Sequence, residues 1–336
     1  MSGLRQRSGG HARLLALIDR FARARVVVVG DLVADEFIFG RLSRVSREAP
    51  VLILEYDTTE IVPGGAGNAA SNVAALGGKV TLAGAAGRDQ AGDRLVTALR
   101  ERGVRLDIAR PKDMTTPVKT RILAGGVHSV KQQIVRIDRQ GSGVSPAIAR
   151  DVMVRAKRAA RTAAAIIASD YGSGLISARG IAAARPRGAQ LFVDSRYRLL
   201  DFRGMTACTP NESEVESLFG VTIADDGKAL ERAGRTLLRK TGAEAMLVTR
   251  GSRGMALFEP SRPTVHVPIF GSDEVADVTG AGDTVIATFA LARAAGGTFE
   301  EAARLANFAG GLVVMKRGTA TVSADELRDA ILNNGG

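Results

Sequence analysis

Apolar positions along the chain follow two alternating rhythms. Short continuous runs at 26–29, 80–83, 165–169, 191–194 and 245–249 have the length and branching of strands buried on both faces of a parallel sheet. Around them the apolar residues recur at helical spacing, which predicts helices over 68–76, 89–101, 148–164, 212–219, 227–241, 283–295 and 299–315. Strands separated by helices imply βαβ crossovers. The expected fold class is therefore α/β, a three-layer sandwich whose mostly parallel central sheet carries helices on both faces.

Two stretches break the alternation. Residues 37–60 hold the extended run Val51-Leu-Ile-Leu54, and 115–138 hold two extended runs, 118–123 and 133–137, around Gly125-Gly126. Together they predict one small antiparallel sheet standing off the main body. Such a sheet serves either as a lid that excludes water or as a surface for dimerisation. Residues 1–24 read as a basic leader in which Leu14, Leu15, Leu17, Ile18 and Phe21 recur at helical spacing, and 25–330 as the main domain.

Composition narrows the function classes. Hydrophobic residues make up 45% and charged residues 24%, as in a folded globular chain. No apolar run has the length of a membrane span, and no secretory signal is recognisable. Cys208 is the lone cysteine, so an intrachain disulfide is excluded and a reducing cytoplasm is the expected location. Forty-six basic against 35 acidic residues give a net charge of +11, which favours anionic partners. With no Trp, 3 Tyr and scattered arginines, no stacking platform for nucleic acid is visible, and the charge fits a small phosphorylated substrate or plain solubility as well.

Five motifs carry candidate chemistry. Asp277-Val-Thr-Gly-Ala-Gly-Asp283 opens a predicted helix. Gly280 and Gly282 permit a tight turn, and the helix start offers unpaired amides and a positive dipole end to a phosphoryl group. Asp283 either caps the helix or takes a proton from a substrate hydroxyl. Gly64-Gly-Ala-Gly-Asn68 formally contains a dinucleotide fingerprint, but Pro63 rather than a strand precedes it, which argues against nicotinamide. Asn68 and Asn72 share a helix face and suit a polyhydroxy ligand; the alternative is a plain helix N-terminus with Asn68 as its cap. Asp31 and Asp35 follow the first strand, at the sheet edge where α/β proteins bind ligands. Asn211-Glu-Ser-Glu214 fits a capping box and equally an amide and a carboxylate beside hydrated Mg²⁺. Residues 248–258 read as two short strands around a glycine turn that could lie against a nucleotide. No P-loop, no G-x-S-x-G elbow and no metal-ligand spacing of histidines occurs.

In order and spacing, these motifs resemble those of the ribokinase-type (PfkB) carbohydrate kinase family over about residues 25–325. Residues 64–68 look like its N-terminal signature, 277–283 like its D-T-x-G-A-G-D signature with Val278 for Thr, and Asn211 with Glu214 like its N-x-x-E. The resemblance implies a sugar kinase with ATP as donor, Mg²⁺ as cofactor, a monovalent cation as a candidate activator, and a homodimer formed through the lid. It casts Asp283 as catalytic base and Gly280, Ala281 and Gly282 as the anion hole. Asn211 and Glu214 would organise phosphates and Mg²⁺, Glu214 through water. Thr249, Gly251, Ser252 and Gly254 would line the nucleotide site, with Asn307 near the adenine. Asp31, Asp35, Gly64, Gly65 and Asn68 would hold the acceptor.

Within the family the chain is similar to the heptose 7-phosphate kinases, through 43–50, 120–122, 132–138 and Ser169-Asp-Tyr-Gly172. It departs from them at Ser173, where a Lys is usual, and at Asp194-Ser-Arg196, where D-P-K is usual. The acceptor implied is a sugar or a sugar phosphate such as heptose 7-phosphate. Alternatives are a neutral-sugar or nucleoside kinase, and a binding protein without turnover.

Overall fold

The computed structural model describes residues 2–125, 131–271, 277–316 and 318–333. Strands are β1 Arg25–Gly30, β2 Leu32–Val45, β3 Leu52–Gly65, β4 Lys79–Ala83, β5 Arg105–Leu106, β6 Val118–Gly125, β7 Gln132–Arg139, β8 Ala165–Asp170, β9 Gln190–Ser195, β10 Ala207–Cys208, β11 Ala245–Thr249, β12 Met255–Phe258 and β13 Val265–Val267. Helices are α1 Ser2–Ile18, α2 Ala66–Ala75, α3 Gln90–Glu101, α4 Pro146–Ala160, α5 Ala178–Ala184, α6 Glu212–Phe219, α7 Gly227–Thr241, α8 Ala281–Ala294, α9 Phe299–Val314 and α10 Ala324–Asn333.

The main sheet runs β13-β12-β11-β10-β9-β8-β1-β4-β5, parallel from β11 to β5 and antiparallel at β12 and β13. Strand alternation divides its side chains between two cores. Val26, Val28, Ile167 and Leu247 face α1, α2, α3, α8, α9 and α10; Val29, Ile166, Ala168, Met246 and Val248 face α4 to α7. This is the three-layer α/β class that the patterning implies. Leu14, Leu17, Ile18 and Phe21 are buried in the first core, so the helix of the basic N-terminal segment is packed into the body. Cys208 is buried. Among the described residues no helix is long and apolar enough to cross a membrane.

The smaller sheet has the order β3-β2-β6-β7. The expectation of a purely antiparallel sheet is corrected: β2 and β3, and β6 and β7, pair antiparallel, but the central pair β2–β6 is parallel. After β3 the chain passes through α2, β4, α3 and β5 before β6, and this long crossover allows β6 to run alongside β2 in the same sense. The sheet also reaches deeper than its apolar runs suggest. β2 begins at Leu32 and β3 ends at Gly65, with Leu32 paired to Gly65, so the small sheet grows directly out of the residues between β1 and α2.

Candidate active site

The carboxyl ends of β8, β9, β10 and β11 and the start of α8 enclose a cleft of about 680 Å³ beneath the small sheet. Asp35, Gly65, Lys119, Tyr171, Asp194, Asn211, Glu214, Thr249, Gly280, Gly282 and Asp283 are among its lining residues. A second cavity of about 390 Å³ adjoins it and shares Lys119, Arg136, Tyr171, Arg196 and Tyr197.

Asp283 lies in the first turn of α8, 4% exposed and facing this cleft. Asn68 Nδ2 donates to its Oδ2 at 2.9 Å and Tyr171 OH donates to its Oδ1 at 3.2 Å. Burial raises its pKa to about 7. The two hydrogen bonds and Lys119 oppose that rise, while Asp35 reinforces it. A carboxylate tuned to that value is matched to taking a proton near neutral pH. The α8 start has no side-chain cap bond, so Asp283 is not spent as its N-cap.

Gly280 holds φ at +78°, and a Cβ there would stand 2.5 Å from Asn68 Nδ2, so only glycine lets the turn pass over Asn68. The amides of Gly282 and Asp283 have no protein acceptor among the described residues, as expected at a helix start. The Ala281 amide is different: it already donates to Val278 O at 3.2 Å. Ala281 therefore drops out of the expected anion hole, because the turn uses its N–H internally. Asp277 secures the loop by accepting from Thr279 N at 2.9 Å and Gly318 N at 3.1 Å.

The residues expected to hold the acceptor separate into two groups. Asp35 and Gly65 line the cleft. Asp35 pairs with Arg121 at 2.7 Å and accepts from Thr319 Oγ1 at 3.1 Å. Asn68, by contrast, is fully buried beneath Asp283, and each of its side-chain polar atoms is bonded within the protein. Direct contact with an acceptor is thus corrected to support of the base. Gly64 also acts indirectly: a Cβ there would come within 2.5 Å of Asp35 Oδ2. Asp31 lines the smaller cavity, but it accepts from Tyr171 N at 2.7 Å, Ser173 N at 3.3 Å and Ser173 Oγ. Its role in this structure is to hold the 171–173 loop, and Ser173, the departure from Lys, is what makes that contact.

On the far side, Asn211 and Glu214 form the capping box of α6, with Glu214 N to Asn211 Oδ1 at 2.8 Å and Asn211 N to Glu214 Oε2 at 3.0 Å. Thr249 lines the cleft beside them. Gly251 and Ser252 are exposed in the turn after β11 and Gly254 is buried at its end; all three lie outside the cleft lining. Asn307 also lies outside the cleft lining, and its Nδ2 donates to Pro268 O at 2.8 Å, which secures α9 to the β13 loop.

Among the described residues no cluster of three metal-ligating side chains occurs. Asp194 and Glu214 both border the cleft, and burial raises the pKa of each. Nearby Asp283 and Glu214 push Asp194 further up. Two carboxyls at the edge of the cleft are oxygen donors of the kind that would suit a hydrated divalent cation.

Several site residues escaped sequence reasoning or entered it only as points of resemblance: Tyr171, Lys119, Arg121, Arg136 and Asp194. Lys119 and Arg121 stand two apart on β6, opposite Asp35 and Phe37 of β2. A basic alternation on a lid strand is the signal that could have found them.

The sequence matches the model described as pfkB family carbohydrate kinase over residues 23–326. Relatives named bifunctional protein HldE from Methylococcus capsulatus and Azotobacter vinelandii are 42% and 41% identical over 318 and 315 residues. These matches cover 94% and 93% of this chain, which spans 65% and 64% of the relatives' own lengths. Phosphofructokinase-2 from Escherichia coli, solved in complex with substrates and products, superimposes with a TM-score of 0.76 at 20% identity, covering 92% of this chain and 99% of its own. Ribokinase from Arabidopsis thaliana, complexed with ribose and ATP, gives a TM-score of 0.68 at 22% identity, with coverage of 92% and 98%.

Proposed function

The chain belongs to the pfkB family of carbohydrate kinases, and on that premise we propose that it transfers the γ-phosphoryl group of ATP to a hydroxyl of a phosphorylated sugar, heptose 7-phosphate being the favoured acceptor. The observation that carries the choice of acceptor is the pair of cations where the two cavities meet. Lys119 and Arg196 both line the main cleft and the adjoining cavity, and neither forms an ion pair among the described residues. Lys119 lies 5.4 Å from the centre of the Tyr171 ring and Arg196 lies 5.5 Å from that of Tyr197. Burial lowers the Lys119 pKa, so an anion beside it would be strongly favoured. A sugar with its reacting hydroxyl at Asp283 can extend its own phosphate toward this pair. The similarity to heptose 7-phosphate kinases in the sequence points the same way.

In this reading the acceptor lies between Asp35 and Asp283. Asp283 takes the hydroxyl proton onto a carboxylate oxygen as the sugar oxygen attacks the γ-phosphorus of ATP, and the bond from that phosphorus to the bridging oxygen breaks to release ADP. The Gly282 and Asp283 amides hold the oxygens of the group in flight. Tyr171 and Asn68 keep the carboxylate aimed. Magnesium, when bound with ATP, supplies charge neutralisation for the phosphates, and Glu214 and Asp194 are the residues that would hold it, through water. The lid sheet keeps water from competing with the sugar. Its exposed apolar residues, Leu42, Val45, Leu52, Tyr56, Val135 and Ile137, support a homodimer formed through the lid.

ATP consumption measured against heptose 7-phosphate, fructose 6-phosphate, fructose, ribose and adenosine tests the assignment. The expected result is turnover with a sugar phosphate and little with the neutral compounds. Arg196→Ala is expected to raise KM for that substrate by about tenfold or more, the scale of one charge-assisted hydrogen bond. Preference for a neutral sugar, with no effect of Arg196→Ala, would overturn the choice of acceptor.

A further inference from the structure

Beneath the base runs a buried chain of polar side chains that the transfer chemistry does not itself require. Thr284 Oγ1 donates to Asn72 Oδ1 at 3.1 Å; Asn72 Nδ2 donates to Asn68 Oδ1 at 3.1 Å; Asn68 Nδ2 donates to Asp283 Oδ2 at 2.9 Å. Asn68, Asn72 and Thr284 have no accessible surface. The chain joins α2 to the first turn of α8, two elements whose contact forms the floor of the cleft.

We propose that Asn72 is a positioning residue for phosphoryl transfer: it fixes which end of the Asn68 amide faces Asp283, with Thr284 supporting Asn72 from behind. The inference rests on the reading of Asp283 as the base.

An asparagine amide has a donating end and an accepting end, and only the donating end stabilises a carboxylate. Two backbone carbonyls, which can only accept, set the sense of this chain. Asn72 Nδ2 also donates to the Asn68 carbonyl at 3.1 Å, which settles the orientation of Asn72. Asn68 Nδ2 also donates to the Gly280 carbonyl at 3.2 Å, a longer contact that favours the same orientation of Asn68 from the other end of its amide. Turning Asn68 over would set its oxygen against both the Asp283 carboxylate and the Gly280 carbonyl, and its NH₂ against the NH₂ of Asn72. Each reversal leaves buried polar atoms unpaired, which is strongly disfavoured. Asn72, engaging the accepting end of the Asn68 amide while the Gly280 carbonyl engages the donating end, therefore holds Asn68 in the one orientation that favours ionised Asp283. The other titratable or charged groups acting on Asp283 are Tyr171, Asp35, Lys119 and Asp194, and Asn72 touches none of them.

Loss of a donor to a carboxylate raises its pKa. Asn72→Leu and the milder Thr284→Val and Asn72→Ser are to be compared with wild type in two measurements: the Asp283 carboxyl titration followed by carbon NMR, and the pH profile of kcat. The expected result for Asn72→Leu is an upward move of the Asp283 titration and of the acid limb of kcat by about one pH unit. Near pH 6 this means about tenfold slower turnover, with recovery toward wild type at pH 9 and KM for ATP and sugar within twofold. The Val and Ser variants should move in the same direction by less; they carry the test if the Leu variant does not fold. An unmoved titration, or a loss of kcat equal at every pH, would overturn the proposal. The NMR titration needs no turnover, so it reports on Asn72 even if the protein proves not to phosphorylate the sugars tried.

Discussion

Asp283→Asn is expected to lower kcat by about 10²–10⁴, the range a positioned general base contributes, while KM for ATP stays near wild type. The amide matches the carboxylate in shape. It can still accept from Asn68 or Tyr171, which bond the two carboxylate oxygens at 2.9 and 3.2 Å. What it cannot do is take a proton. In the proposed mechanism the phosphate is met by the backbone amides of Gly282 and residue 283, and these survive the substitution. Stability should not fall, because burial already disfavours the ionised carboxyl and lifts its pKa to about 7. Steady-state kinetics with a thermal melt separates the outcomes: slow turnover in a protein of unchanged melting temperature fits the assignment, whereas kcat within a few-fold of wild type removes it.

Arg121→Met is expected to destabilise the protein by about 3–5 kcal/mol, the cost of breaking a buried ion pair from one side. Arg121 and Asp35 meet at 2.7 Å with side chains only 9% and 8% exposed. Arg121 also packs over the Phe37 ring. Without the guanidinium, the buried Asp35 carboxyl retains, among the described residues, the hydrogen bond from the Thr319 hydroxyl. The pair ties β6 to β2 where the lid leaves the main body, so lid closure should suffer along with stability. Urea unfolding reads the first effect and KM for the sugar the second. Arg121→Met combined with Asp35→Asn should regain much of the stability but not the affinity for sugar, since Asp35 lines the cleft. A loss below about 1 kcal/mol in the single variant would mean the pair is effectively solvated.

Both substitutions concern contacts between residues far apart in the chain, and these were the least legible part of the sequence. Local signals worked well. The bounds of α6 and α7 follow from Asn211 and Asp226 as N-caps and from Gly220 and Gly242 in the left-handed conformation at their ends. The turn at Gly280 and the placement of Asp283 in the first turn of α8 follow from the 277–283 motif. Helical spacing placed Asn68 and Asn72 on one face, but nothing local says whether that face meets a ligand or another helix. Here it meets α8, which is why Asn68 supports the base from below. Asn307 and Asp31 are similar cases: each residue type suits a ligand, and each is instead bonded to a loop brought near by the fold. The parallel pairing of β2 with β6 escaped because the intervening crossover, rather than the strands' own residues, sets their relative direction. Short β5, β10 and β13 carry too few residues to show any period.

The central claim is that a buried carboxylate titrating near neutrality removes the acceptor proton as phosphorus is attacked. Rapid-quench single-turnover transfer from γ-labelled ATP to the sugar phosphate, followed across pH in the wild-type protein, tests it most directly. The account predicts a chemical step that rises about tenfold per pH unit below roughly 7 and levels off above it, as a single base titrating there requires. A rate that is flat from pH 5 to 9 would contradict it.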